Sequence, residues 1–343
     1  FLLLAMLPFI GRKVVAVLRN RKALEGFSKP DEFDTNLVVI GAGSAGLVTA
    51  YIAAAVKAKV TLIEKHRMGG DCLNFGCVPS KALIRSARFM SHIARSREFG
   101  IGKAQAEFEF AEVMERIQQV VRKIEPKDSV ERYTGLGVDV IQGEARVTSP
   151  WTVEVNGESI RSRNIVVATG GRPFVPPIEG IDQVDYYTSD NLWDMREKPG
   201  KLAVLGGGPI GCELAQAFGR LGIEVTQVEM LPRILLREDS EISEMVRQRF
   251  TAEGLRVLTG HTAKRFIKRD GRDFLIAEHD GDEIEIEFDA LLVAVGRAPN
   301  SAGFGLEEIG VRLNSNRTIE VNEFLQTSIP TLYALSLIHI SEP

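Results

Sequence analysis

Only three cysteines, Cys72, Cys77 and Cys212, occur in 343 residues, too few for a disulfide-stapled secreted scaffold. Basic residues do not exceed acidic ones. The formal charge is −4, so the chain lacks the positive surface of a nucleic-acid binder. His66, His92, His261 and His279 have no ligand-like spacing; they read as structural or surface residues, and no resident metal is expected. The opening run Phe1–Ile10 is apolar but, at ten residues, would cover about 15 Å as a helix, half a bilayer core. What remains is a composition of 44% hydrophobic and 26% charged residues, that of a globular protein long enough for two full cores.

Glycine, by contrast, is patterned. Asn36–Ile40 is a short apolar strand running into Gly41-x-Gly43-x-x-Gly46, followed by an alanine-rich helical stretch, a second strand Lys59–Ile63, and Glu64. Strand, glycine turn, helix, strand and terminal acid make one dinucleotide-binding βαβ unit. The same order recurs, displaced by 165 residues, in Leu202–Leu205, Gly206-x-Gly208-x-x-Gly211, a helix, Val225–Val228 and Glu229. One such pattern is weak; two in register are strong. In each, the first glycine makes the tight turn, the second admits a pyrophosphate, and the third packs helix on strand. The helix N-terminus is thereby aimed at the phosphates.

The closing acids would accept hydrogen bonds from ribose hydroxyls. At Glu229 a 2′-phosphate about 4 Å away would be repelled by about 4 kcal/mol per unit charge at an effective dielectric near 20. NADH is therefore expected over NADPH, with nearby Arg233 the one group able to weaken that repulsion.

Cys72 and Cys77 lie between the two units in Gly69-Gly-Asp-Cys-Leu-Asn-Phe-Gly-Cys-Val-Pro-Ser-Lys81, and read as a redox dithiol beside a bound cofactor. Five residues along a straight helix would separate the sulfurs by about 7.5 Å along the axis and place them on different faces, too far for a disulfide. The turn between them must be distorted. Gly76 and Pro79 supply the means. Cys212, inside the second fingerprint helix, is most simply a small packing residue.

The wording Gly-Gly-x-Cys-Leu-Asn-x-Gly-Cys-Val-Pro-Ser-Lys-Ala-Leu resembles the class I pyridine nucleotide-disulfide oxidoreductases, and is similar to their dihydrolipoamide dehydrogenase and mercuric reductase-like branches. The resemblance covers about Asp34–Ala334. It implies an α/β fold of two Rossmann-like three-layer domains: FAD on residues 34–185, a nicotinamide nucleotide on 186–300, and a return to the FAD domain over 301–334. It also implies roles. Cys72 matches the interchange thiol that meets substrate, and Cys77 the thiol lying against the flavin. Lys81 matches the lysine near the reactive flavin nitrogen, where it would stabilise reduced flavin and a Cys77 thiolate, and Glu213 matches its acidic partner. The FAD positions are Gly41, Gly43, Ser44, Ala45, Gly46, Glu64, Lys65, Gly70, Asp71, Ala145, Thr169 and Gly170. Those for the nicotinamide nucleotide are Gly206, Gly208, Pro209, Ile210, Gly211 and Glu229, with Gly296 and Arg297 at its domain's end.

Both chain ends depart from the resemblance. Residues 1–33, an apolar start followed by Arg12, Lys13, Arg19, Arg21 and Lys22, resemble the last turns of a membrane domain found ahead of some mercuric reductase-like flavoproteins. A tether on the cytoplasmic face is the expectation. After Ala334, relatives continue into a second flavin motif and a C-terminal dimerisation domain. Here 335–343 instead reads as a non-native tail, so that domain, with its acid–base histidine, is expected to be missing and this polypeptide a poor enzyme by itself. The implied activity of the parent is FAD-dependent electron transfer from NADH through a Cys72–Cys77 disulfide to a small disulfide or Hg(II), in a homodimer. A dihydrolipoamide dehydrogenase is the rival within the class; a respiratory NADH dehydrogenase-type flavoprotein or an inactive nucleotide-binding fragment are rivals outside it.

Overall fold

The computed structural model describes residues 18–336; the apolar opening run and residues 337–343 of the expected tail lie outside them. Among the described residues, no helix is long and apolar enough to cross a membrane.

In chain order the first elements are β1 (Thr35–Ile40), α1 (Ser44–Ala55), β2 (Val60–Glu64), α2 (Gly70–Asn74), α3 (Cys77–Ala94), α4 (Phe110–Ile124), α5 (Val130–Gly135), β3 (Val138–Gln142), β4 (Arg146–Ser149), β5 (Thr152–Val155) and β6 (Glu158–Val167). Then come β7 (Gly171–Pro173), β8 (Tyr186–Tyr187), β9 (Lys201–Leu205), α6 (Pro209–Arg220), β10 (Glu224–Glu229), α7 (Ser240–Ala252), β11 (Arg256–Thr259), β12 (Thr262–Arg269), β13 (Arg272–His279), β14 (Asp282–Phe288), β15 (Ala290–Val293), β16 (Arg297–Pro299) and β17 (Leu332–Ala334).

Two compact units result. Among the described residues, one comprises 18–72, Glu125–Gly171 and 299–336; the other comprises Leu73–Ile124 and Arg172–Ala298. The expected boundary at residue 185 divides the chain by the cofactor each part would hold. The boundary of contact falls instead between Gly171 and Arg172, and α3 and α4 go with the second unit. The reason is apolar: Ala82, Leu83, Ala87, Met114 and Ile117 share one buried cluster with Leu214 and Phe218 of α6.

Each unit is built on a parallel sheet. In the first the order is β3-β2-β1-β6, with β17 also on β6 and antiparallel β5 and β4 continuing the other edge. In the second it is β11-β10-β9-β15-β8, with β12, β13 and β14 as a separate antiparallel meander. Register brings the sites together. Ile40 lies beside Ile63 and Val167, so Gly41, Glu64 and Ala168 emerge at one end of the first sheet. Leu205 lies beside Val228 and Val293, and Gly206, Glu229 and Ala294 emerge likewise. β12 has no counterpart in the sequence reading, because a register shift between Ala263 and Arg265 interrupts the alternation that would reveal it.

The turns show why their outer glycines are obligatory. Gly41 and Gly206 have φ of 101° and 110°, and a Cβ on either would meet the carbonyl oxygen of Ala168 or Ala294 at 2.5 or 2.4 Å. At the third position, a Cβ on Gly46 or Gly211 would sit 1.8 or 2.2 Å from the carbonyl oxygen of Gly41 or Gly206. Gly211→Ala is accordingly expected to destabilise the chain by about 1–3 kcal/mol through overpacking. A lowered urea midpoint at unchanged slope would register this.

Candidate functional site

In the first unit, Gly43 precedes Ser44 and Ala45 at the start of α1 in extended conformation, and no acid occupies that helix's first turn. The positive helix end is therefore left for an anion. Glu64 braces the turn: one carboxylate oxygen accepts from Ala42 N–H (2.6 Å), the other from His66 N–H (2.8 Å). Four lone pairs on a carboxylate leave room for ribose hydroxyls as well. Gly69 N–H donates to Ala42 O (2.9 Å), and Gly70, at φ 52°, lies so close that its Cβ would reach Gly43 Cα at 2.6 Å. The segment leading to Asp71 and Cys72 is thus seated directly against the first turn. Gly143 N–H donates to Glu64 O (2.9 Å); Ala145 has its side chain in the core, so only its main chain can face a ligand. Lys65 lies 3.8 Å from Glu144 on the surface. Thr169 Oγ1 donates to Asn300 O (2.5 Å), and Asn300 Nδ2 donates back to Thr169 O (3.0 Å). That reciprocal lock fixes Thr169 and Gly170.

The second unit repeats the design. Gly208 precedes α6, Pro209 opens it, and its first turn again holds no acid. Ile210 is exposed. Glu229 accepts from Gly207 N–H (2.5 Å) and Leu231 N–H (2.7 Å), bond for bond the counterpart of Glu64. Beneath this turn the fully buried Gln227 donates from Nε2 to Gly206 O (2.9 Å) and lies 3.5 Å from Cys212 Sγ. Cys212 itself donates to Gly207 O (3.3 Å), and burial pushes its thiol up to about 11. It is inert packing. Gly296 and Arg297 sit where the chain crosses back, with Gly296 O accepting from Phe174 N–H (3.0 Å).

The dithiol segment breaks where the sequence requires. Cys72 lies in α2 and Cys77 opens α3; between them the chain leaves the helical conformation at Gly76, with φ −119° and ψ −99°. Pro79 is the third residue of α3, where no helical donor is needed, and the first helical bond runs from Ser80 N–H to Gly76 O (3.0 Å). The break frees a carbonyl: Phe75 O is held by Nε1 of the buried Trp193 (2.9 Å). Neither tryptophan stood out in the sequence, and nothing local could have marked this one. Cys77 is exposed and Cys72 half-buried. Lys81, one turn after Cys77 on the same face, donates to both oxygens of Glu213 at 2.7 and 2.8 Å. The packing of α3 on α6 produces that pair.

The middle glycines test whether a dinucleotide fits. Neither is required by the protein: Gly43 and Gly208 have φ of −76° and −75°, which any residue adopts, a Cβ on Gly208 would meet nothing within 4 Å, and one on Gly43 would meet only Gly70 Cα at 3.9 Å. Space kept clear beside a helix N-terminus suits a pyrophosphate. Both turns fit such a group.

Fold and site together define a protein with two glycine turns of the dinucleotide-binding pattern, and with Cys72 in the helix that follows the segment docked on the first of them. Residues 35–336 match the family described as pyridine nucleotide-disulphide oxidoreductase, and the chain belongs to that family. It is similar to a Staphylococcus aureus mercuric reductase, 35% identical over 309 residues that cover 90% of this chain and 56% of that protein. It is also similar to a Thermus scotoductus dihydrolipoyl dehydrogenase, 36% identical over 309 residues, 88% of this chain and 65% of that protein. Among solved structures, the HOCl-induced flavoprotein disulfide reductase RclA from Escherichia coli superposes with a TM-score of 0.77 at 29% identity, covering 89% of this chain and 68% of that one. The chain spans about half the length of the mercuric reductases it matches.

Two substitutions separate binding from folding here. Gly208→Ala is expected to leave the melting temperature unchanged while weakening NAD(H) binding about tenfold or more, because the new methyl intrudes only on the ligand; fluorescence titration measures it. Trp193→Phe removes the donor to Phe75 O and part of a buried ring, and is expected to lower unfolding free energy by about 1–3 kcal/mol in chemical denaturation.

Proposed function

We propose that this chain carries the cofactor-binding and dithiol parts of an FAD-dependent reductase that passes electrons from NADH to a small disulfide or to Hg(II). The observation that supports this most directly is the helix break at Phe75–Gly76, which leaves Cys72 in the short helix that follows the segment docked on the first glycine turn and Cys77 at the start of the next helix. FAD is assigned to the first unit, on Gly41–Gly46, Glu64, Gly70, Asp71, Ala145, Thr169 and Gly170. NADH is assigned to the second, on Gly206–Gly211 and Glu229. When bound, these cofactors would supply the two electrons that return a Cys72–Cys77 disulfide to the dithiol.

The chain's own sulfurs do the rest. Cys72 attacks one sulfur of a disulfide substrate, the substrate S–S bond breaks and one thiolate leaves; Cys77 then attacks Cys72, releasing the second thiolate and closing the Cys72–Cys77 bond. With Hg(II), the same two thiolates would hold the metal ion as substrate. Lys81, oriented by Glu213, is assigned to the flavin beside Cys77. The preference for NADH rests on the Glu229 carboxylate. Arg233, the nearby cation, keeps its charge but spends two donors within its own loop, on Glu238 O (3.0 Å) and Leu236 O (2.9 Å).

Anaerobic titration with NADH tests this reading. Cys72→Ser is expected to retain flavin reduction and lose disulfide and Hg(II) reduction, whereas Cys77→Ser loses the long-wavelength absorbance of a thiolate against flavin. Normal disulfide reduction by Cys72→Ser would defeat the assignment.

A further inference from the structure

Beside the second glycine turn stands a stacked pair of imidazoles, His261 and His279. His261 follows β11, and its N–H donates to Glu229 O (3.0 Å), as Gly143 N–H, after β3, donates to Glu64 O (2.9 Å). The two amides make the same bond, each stitching the end of the third strand of its sheet to the acid that ends the second, although His261 stands one residue further past its strand pair than Gly143 does. At Gly143 no side chain fits, since a Cβ would meet Asn156 Oδ1 at 2.4 Å. Past the third strand of the second sheet, the residue making that bond carries an imidazole.

That imidazole is fixed in orientation. His261 Nδ1 lies 2.7 Å from Thr259 O, and His279 Nδ1 lies 2.8 Å from Gly260 O. A carbonyl can only accept, so both rings carry a proton on Nδ1. The rings stack face to face, with centroids 4.5 Å apart and planes 7° from parallel. Gly260 makes this possible: at φ 68° a Cβ would come within 3.0 Å of the His279 ring. Its N–H donates to Leu231 O (2.9 Å), which draws the pair toward the residues after the acid. There, Met230 and Leu231 are exposed apolar side chains, 66% and 39% accessible.

We propose that His261, backed by His279, is a stacking platform for the purine ring of the nicotinamide dinucleotide, with Met230 and Leu231 adding apolar contact. This rests on the reading of Glu229 as the ribose acid. The purine leaves the same ribose whose hydroxyls reach that carboxylate, so it must lie beside Glu229 at the carboxyl end of the sheet. A flat imidazole held by its own hydrogen bond presents a π face there with little conformational freedom left to lose.

The test uses two ligands that share the nicotinamide end. Binding of NAD+ and of nicotinamide mononucleotide, which lacks the adenosine half, is measured by calorimetry and competition on the full chain and its variants. His261→Ala is expected to weaken NAD+ about five- to tenfold and to leave the mononucleotide unchanged, while His261→Phe restores NAD+. Equal weakening of both ligands, or NAD+ affinity unchanged in His261→Ala, overturns the platform and leaves the Glu229 reading intact. A wild-type chain that takes NAD+ no better than the mononucleotide overturns both.

Discussion

At the carboxyl end of each parallel sheet, one carboxylate accepts from two backbone amides, one inside the glycine turn and one just past its own strand. Glu64 and Glu229 make these bonds to residues 42 and 66, and 207 and 231, with the same offset throughout. Charge-assisted bonds of this kind contribute about 1.5–3 kcal/mol each. Their larger effect is geometric. They fix the turn against the second strand, and the turn's fixed shape lets the third glycine's helix approach to within van der Waals contact of a carbonyl. Remove the acid and two amides lose their partner, so a substitution that alters the proposed ribose contact also alters the turn.

The twin glycine turns were legible in the sequence because their causes are local. A positive φ at Gly41 or Gly206, or a helix pressed onto a carbonyl at Gly46 or Gly211, admits only glycine, and the sequence records it at fixed spacing. The helix break between the cysteines was legible for a related reason, since Gly76 is permissive where the chain leaves the helix and Pro79 suits only the first turn of the helix that restarts. Hairpin turns at Asn156-Gly157 and Asp280-Gly281 carry positive φ at both residues, which their residue types announce. What the sequence hid depends on distant parts of the chain. Trp193 reaches a carbonyl 118 residues away, and Asn300 locks Thr169 across 131 residues. The Lys81–Glu213 pair, 132 residues apart, was reachable only through resemblance. The partners of Glu64 and Glu229 went unread because they are main-chain atoms, identical in every residue.

The two repeats also differ beneath their turns, and the difference has a physical consequence. Under the first turn the equivalent positions are Leu47 and Leu62, both buried and apolar. Under the second they are Cys212 and Gln227, and the Gln227 amide grips Gly206 O while its own Oε1 is buried with no partner. An orphaned amide oxygen destabilises by about 1–3 kcal/mol, so packing alone would favour leucine there as well. What the amide adds is a hydrogen bond to the one carbonyl whose direction sets the turn. A turn held from below keeps its shape with no ligand in place, which lowers the ordering that binding must impose. In the proposed division of labour, this pinned turn takes the nicotinamide nucleotide, which enters and leaves in every cycle. The unpinned turn takes the flavin, which stays.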